Sequence, residues 1–370
     1  MHRHQAMAWV VSVCAGSLRL SQAKTLSALV AAALHVQRVS LASIGRCIIG
    51  GTVKHHIKRI WRFCANTRVE TADAMRGVVK QILRKRNKPL LISFDWTDFK
   101  QFQTLMAAAV FKGRSIPLCW ASCHKHLYDG HRSRNAFEES LLLVLRSMIP
   151  QGQKVILLGD RGFGRTELAR FCQRHGFDYV IRIQPGVNIA SPAFTGKLLD
   201  YPVHKGICRL LTSVTYRAGK DPVIQHIVVR WVRNLPVKRD EPWFLMTSLT
   251  GAPAAISRLY GQRMTIEELF RDGKNKRHGW SLRDTQISKP DRLDRLLLIL
   301  ALAYLLLCGI GLIALQTNHP GAWTASSKND CSVFTIGRLM CQRQGQLSAS
   351  IAQILRAVFH ATELAAGNWG

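Results

Sequence analysis

From Leu296 to Leu315 the chain reads LLLILALAYLLLCGIGLIAL, 20 residues without a charge. A helix of that length spans the hydrocarbon of a bilayer. The same run suits a helix enclosed on every side by a large core. In both cases the segment must be hidden from water, and the rest of the fold has to provide for that. Arg292 and Arg295 stand before it and His319 after it. A chain of 370 residues can build a sizeable core and two or three domains. Its 47% hydrophobic content excludes a disordered protein.

Charge gives the second constraint. There are 52 Lys and Arg against 22 Asp and Glu, a net charge of +30. So strong a positive field points to a polyphosphate partner, and first to nucleic acid. A ribosomal-type or membrane-surface protein shares that signature. With so few acids, carboxylates that gather in one place stand out. The ten cysteines include no CxxC pair. Cys119, Cys123, His124 and His126 form the one cluster with ligand character, but their spacing fits no zinc template, and buried free thiols in a reducing cytosol are expected. Met1 to Gln22 lacks a continuous apolar core followed by a small-residue cleavage site, so no secretion signal is expected.

Residues 21–80 read as helical and basic. Ser21 or Thr25 is a candidate cap for a first helix running to His35. Ser40 to Ile49 forms a short second helix, stopped by Gly50-Gly51. Thr52 precedes a third, with Lys54, His55, Lys58, Arg59 and Arg62 partly exposed. Two helices, a glycine turn and a basic helix match a helix-turn-helix reader; a solvated helix of a bundle reads the same way. After Asn87-Lys88-Pro89 the pattern changes. Leu90 to Phe94 is a buried-strand run ending at Asp95, and Thr104 to Phe111 and Ser115 to Ala121 are strands joined by a Lys112-Gly113-Arg114 hairpin turn. A helix over Phe137 to Met148, a strand over Lys154 to Leu158, a helix over Thr166 to His175 and a strand over Tyr179 to Ile183 complete a mixed α/β sheet. Residues 184–250 are β-rich, with strands near 208–216, 223–232 and 243–249. Helices resume at Ala254.

Two acids, Asp95 and Asp160, each follow a buried strand, where ligands of α/β sheets collect. Gly162 and Gly164 in GDRGFGR permit a tight turn and close backbone approach. An Asp that caps the next helix has the same sequence profile. Asp98 is a rival to Asp95 but lies past the expected strand end. Farther on, Tyr260, Arg263, Glu267 and Lys274 fall within about 60° of one another at about 100° per residue, on one face of a straight helix. Thr265 and Glu268 form a T-x-x-E capping box, which gives Glu268 a separate task. A surface row of salt bridges would also produce this spacing. Three carboxylates suit a pair of divalent ions set about 3.5–4 Å apart for in-line displacement at a phosphodiester. Mg²⁺ takes oxygen ligands and keeps several waters, so three acids suffice. Neighbouring Arg, Lys and Tyr side chains suit DNA phosphates.

The stretches FDWTDF (94–99), LLGDRGFGR (157–165) and the Y-x2-R-x3-E-x6-K spacing at 260, 263, 267 and 274 resemble the DDE transposases of bacterial insertion sequences, in particular the insertion-sequence-four group. The resemblance covers about residues 85 to 310. It implies an α/β, RNase H-like mixed sheet core with a β-strand insertion between the second Asp and the Glu. It implies that Asp95, Asp160 and Glu267 bind Mg²⁺ or Mn²⁺, two ions in number, while Tyr260, Arg263 and Lys274 contact DNA phosphates. It also implies that 296–315 is a buried helix and not a membrane span. Trp280 is a candidate to stack on or wedge beside a base, and Arg161 and Arg165 are further candidate DNA contacts.

The expected organisation is a helical basic DNA-binding region (1–85), the first part of the core (86–183), the β-rich insertion (184–250), the helical part of the core with the third acid (251–315) and a C-terminal helical region (316–370). The expected activity is metal-dependent cleavage at the ends of the element, freeing a 3′-hydroxyl, then transfer of that strand into target DNA. The expected partners are double-stranded DNA and a second copy of the chain on the DNA, in the bacterial cytoplasm. A metal-dependent nuclease, a non-catalytic DNA-binding regulator, an integral membrane protein and a decayed, inactive copy are the rivals.

Overall fold

A computed structural model describes residues 3–84, 86–125, 133–219, 221–233, 241–277, 279–317, 323–324, 331–342 and 349–367. Five helices come first: α1 (Arg3–Val13), α2 (Leu20–Ala33), α3 (Leu41–Arg46), α4 (Val53–Ala65) and α5 (Thr71–Leu83). The helix expected from a Ser21 or Thr25 cap starts before either, at Leu20 after an Arg19 cap, so both residues lie inside it. Thr25 Oγ1 instead donates to the Ser21 carbonyl within the helix. Ser40 does cap α3, accepting from the Ser43 amide.

A hairpin pair follows: β1 (Leu90–Phe99), β2 (Phe102–Phe111) and β3 (Arg114–His124). Gly113 turns the second hairpin with φ +70°, a conformation that favours glycine. Then come α6 (Arg134–Met148), β4 (Val155–Gly159), α7 (Thr166–Arg174) and β5 (Asp178–Arg182). β1 and β2 are antiparallel, as are β2 and β3, while β4 runs parallel to both β1 and β5. The order β3-β2-β1-β4-β5 with these directions is an RNase H-like core.

The strand-rich region holds β6 (Asn188–Ser191), β7 (Phe194–Lys197), β8 (Cys208–Tyr216), β9 (Val223–Arg230) and β10 (Trp243–Thr247). These strands do not form a separate sheet. β10 pairs antiparallel with β5, placing Leu245 opposite Arg182, and the remaining strands continue outward as β9-β8-β6-β7 to make ten. Helices α8 (Pro253–Gly261), α9 (Thr265–Lys274), α10 (Pro290–Thr317), α11 (Val333–Gln342) and α12 (Ile351–Ala365) close the chain.

The uncharged run lies in α10, which packs against β3, α2, α4, α11 and α12. Its most apolar window is 94% buried inside the protein, so this helix finds its apolar surroundings in the chain itself. Each enclosed leucine contributes about 1.5–3 kcal/mol. Glycines allow the closest crossing. A Cβ on Gly311 would stand 1.8 Å from the Val333 carbonyl oxygen, and one on Gly337 would stand 1.9 Å from that of Leu307. The charged start of α10 is tied down as well. Buried Arg295 donates to the carbonyls of Cys64 and Val69, satisfying the open end of α4. His319, which follows the run, lies outside the described residues.

Asp294 locks α10 to β3. Its carboxylate accepts from the Ser122 hydroxyl at 2.6 Å and the Ser122 amide at 3.2 Å. Burial raises its pKa to about 7, against the pull of the Ser122 hydrogen bonds. The unfolded chain ionises this group near the ordinary carboxylate value of about 3.9. Between those values the folded state holds the extra proton, so this group's contribution to stability is lost as pH rises from about 4 through 7. Urea unfolding at pH 5 and pH 8 is expected to show a larger loss of stability for wild type than for Asp294→Asn, with the variant the more stable at pH 8. Equal losses would mean that Ser122 fully compensates the ionised form.

Candidate active site

β1 is longer than its sequence pattern suggests, and this changes the setting of two acids. Asp95 lies within the strand and not at its end, and Asp98 is in the same strand. Asp98 turns outward to Lys125 at 3.1 Å and is half exposed. Asp95 turns inward. The parallel register sets Ser93 opposite Leu158, and two residues farther it brings Asp95 beside Asp160.

Asp160 leaves β4 and caps a 3-10 turn over Arg161–Phe163, its Oδ1 accepting from the Gly162 amide at 2.9 Å. The glycines of this loop are favoured by close approach and not by backbone angle. A Cβ on Gly159 would meet the Phe94 ring at 3.1 Å. One on Gly162 would meet Asp160 Oδ1 at 3.1 Å, and one on Gly164 the Ile183 side chain at 3.0 Å. The buried Phe94 and Phe163 rings pack against each other, tilted by 54° with centroids 4.1 Å apart, and so join β1 to the turn that follows Asp160.

The third acid arrives on a broken helix. α8 stops at Gly261, a 3-10 turn covers Gln262–Met264, and α9 restarts at Thr265. The expected capping box does not form. Thr265 Oγ1 donates to the Gln262 carbonyl and bonds Ser115 Oγ at 2.6 Å. Glu268 pairs with Arg271 at 2.8 Å and lies 3.6 Å from Arg114. Despite the break, Arg263 donates to both Asp95, at 3.2 Å, and Glu267. One guanidinium therefore bridges the first and third acids. α9 is anchored from behind: Asp272 accepts from Arg114 at 2.7 Å and from the buried Tyr304 hydroxyl at 2.8 Å.

Electrostatics confirm the convergence. Burial and the neighbouring Asp160 raise the Asp95 pKa to about 6, with Glu267 adding to the rise. Arg263 and the Trp96 amide oppose it. Burial raises the Tyr260 hydroxyl above its usual value, while Arg263, Arg182 and Asp160 all lie near enough to act on it. Burial lowers the Lys274 ammonium, and Arg283 adds to this against Asp98 and Asp95. That ammonium rests over the Phe99 and Phe270 rings at 5.4 and 5.7 Å. Arg263 thus touches Asp95, Glu267 and Lys274 lie near enough to Asp95 to act on it, and Tyr260 lies near Asp160.

As the side chains stand, no three His, Cys, Asp or Glu among the described residues are close enough to grip one ion. Arg263 holds the place between Asp95 and Glu267. The donor set fits a hard divalent cation in kind: its ligands are oxygens only, and the mutual repulsion that raises Asp95 is what such an ion relieves. Of the Cys119, Cys123, His124 and His126 cluster, three residues are described. Cys119 and Cys123 are buried on β3, the His124 ring packs on Phe102, and His126 lies outside the described residues.

Two residues expected at the DNA are turned inward. Trp280 is 3% exposed and packs between Tyr304 and Phe334, with ring centroids 6.1 and 5.0 Å away, so it is a core aromatic here. Arg165 is buried against Glu138, 2.5 Å away and 2% exposed, which also accepts from the Trp96 indole at 2.8 Å. Arg161 remains at the surface, paired with Glu241. Sequence reasoning overlooked Arg182, Arg114 and Glu138. Arg182 stands at the end of the strand next to Asp160, a position that only the sheet order reveals.

A model of the transposase DDE domain matches residues 86–306. That is more than half of the chain, and the chain belongs to this family. Among solved structures, a cryo-EM structure of the piggyBac transposase synaptic complex with hairpin DNA is similar at 10% identity and a TM-score of 0.46, covering 97% of this chain and 82% of that one. No curated protein sequence matches the chain.

Removing Arg165 would leave Glu138 buried without its innermost partner. Arg165→Ala is expected to cost about 3–5 kcal/mol in urea unfolding, with part regained in the Arg165→Ala, Glu138→Gln double variant. A loss of DNA affinity at unchanged stability would instead make Arg165 a DNA contact.

Proposed function

We propose that the chain is a DNA transposase of the insertion-sequence-four group that moves its element by cut-and-paste. The observation that carries this reading is the meeting of Asp95, Asp160 and Glu267 around Arg263 at the carboxyl end of β4 in an RNase H-like sheet. Asp95, Asp160 and Glu267 would hold Mg²⁺ or Mn²⁺, two ions in number. Bound there, the metal supplies charge neutralisation at the attacking and leaving oxygens.

The protein's own groups do the rest. Arg263, which here donates to Asp95 and Glu267, has a planar fork that would suit a phosphate. Lys274 offers a point charge on the Asp95 side, and the Tyr260 hydroxyl a hydrogen bond on the Asp160 side. Together they would hold the scissile strand in line for attack, first by water to free a 3′-hydroxyl and then by that hydroxyl on target DNA. The basic helices of residues 1–85 would bind the element ends. α4 carries Lys54, His55, Lys58 and Arg62 on its exposed side and no acid. Two copies joined by two DNA ends, acting at the bacterial nucleoid, complete the reading.

The test is excision, in cells, of a marker flanked by the DNA that borders this gene. Wild type is expected to excise it, Glu268→Gln to retain activity, and Glu267→Gln to lose at least about a hundredfold. Comparable excision by wild type and Glu267→Gln would remove Glu267 from the site. If none of the three excises, Mg²⁺-dependent nicking of the same DNA in vitro separates a nuclease from a plain DNA-binding protein.

A further inference from the structure

Beside the acid cluster, two arginines that no sequence motif joins meet at a single atom. Arg161 follows Asp160 directly, and Arg182 ends β5, the adjacent strand. The Nη2 groups of both donate to Oε1 of Glu241, at 2.5 and 2.7 Å. The partners are unequal. The Arg182 side chain is 17% exposed, whereas that of Glu241 is 52% exposed. Arg182 is therefore set on the body of the sheet, Arg161, at 32%, stands nearer the surface, and the acid, the most exposed of the three, reaches them from outside.

The pair also lies on the edge of the catalytic centre. Arg182 and Asp160 both act on the Tyr260 hydroxyl. Two residues past Glu241, Trp243 meets the Tyr260 ring edge-on at 5.1 Å. Two guanidiniums converging on one anionic oxygen have the donor arrangement of a phosphate site. With only 22 acids against 52 basic residues, the placing of one acid on two rim arginines needs an account.

We propose that Arg161 and Arg182 form a seat for a backbone phosphate of DNA, and that Glu241 covers this seat as a phosphate substitute until DNA displaces it. The inference rests on the transposase reading above; to Arg161, which the GDRGFGR stretch already offers, it adds Arg182 as a partner and Glu241 as a cover. Displacement is easy. The carboxylate is half exposed, so water competes for it and its hold is weak, while each phosphate contact is reinforced by counterion release. The paired acid also keeps two like charges from facing each other bare in the free protein. At the same time it weakens the protein's grip on random DNA.

The experiment is a titration of the full chain with a fluorescently labelled random-sequence duplex, divalent ions chelated, followed by anisotropy at several salt concentrations. Glu241→Gln is expected to tighten binding about 3- to 10-fold. Arg182→Gln is expected to weaken it and to flatten the plot of log affinity against log salt by about one. In the Arg182→Gln background the Glu241→Gln gain should shrink or vanish. Arg182→Lys, which keeps the charge and removes the planar fork, should fall between wild type and Arg182→Gln, and it serves if the Gln variant is unstable. If Glu241→Gln binds no more tightly than wild type at an unchanged unfolding midpoint, Glu241 is only a staple between β10 and β5 and the proposal fails. If wild type binds no duplex even at low salt, both this proposal and the transposase reading fall. Duplex binding that is indifferent to Glu241 overturns this proposal alone.

Discussion

The enclosure of α10 is the constraint from which most of the structure follows. A continuous uncharged helix cannot leave a face in water, and here elements from three regions of the sequence cover it: α2, α4 and α5 from the N-terminal helices, β3 from the sheet, and α11 and α12 from the end of the chain. The consequences reach the active site. Tyr304, in the middle of α10, holds Asp272 of α9, and Asp272 holds Arg114 at the start of β3. The helix that carries Glu267 is thus set against β3 by a polar contact whose far end is the most apolar part of the molecule.

A second theme is how few acids the chain has and where they stand. Several do not serve solubility at all. Glu138 is enclosed with Arg165, Asp272 with Arg114, and Asp294 with Ser122, each fastening one element to another. Asp95 is different. Burial raises its pKa as it raises those of Asp272 and Asp294, but Asp160 and Glu267, two more candidate ligands, add to the rise, and the arginine that donates to it also serves Glu267. Structural acids are matched with partners. The candidate catalytic acids are crowded together with too little positive charge, and such sites are poised for a ligand that brings more.

Much of this was legible in the chain. The hydrophobic runs announced β1, β2, β3, β4 and β5 in order, and the fixed spacing of Tyr260, Arg263, Glu267 and Lys274 announced a common face. Local patterns failed where the deciding contact is remote. β1 runs past Asp95 because β2 pairs with it as far as Phe99, and nothing in FDWTDF itself shows this. Thr265 looked like a helix cap, but it bonds Ser115, 150 positions away. Trp280 and Arg165 have the chemistry of DNA contacts, and only the packing of Phe334 and Glu138 around them gives them interior roles. The β-rich stretch was recognised as strands, but the continuity of those strands with the central sheet depends on β10 choosing β5 as its partner.

That pairing bears on how the protein can move. A segment inserted on flexible connections swings like a flap, and its grip on a substrate is independent of the body that carries it. Here β5 and β10 share a ladder of hydrogen bonds, so the inserted strands and the strands bearing Asp95 and Asp160 form one stiff plate. Bending at that junction would mean breaking sheet. Any closing around a large substrate therefore has to be supplied by the helices packed on the plate and by the loops at its rim. The two ends of the plate turn together.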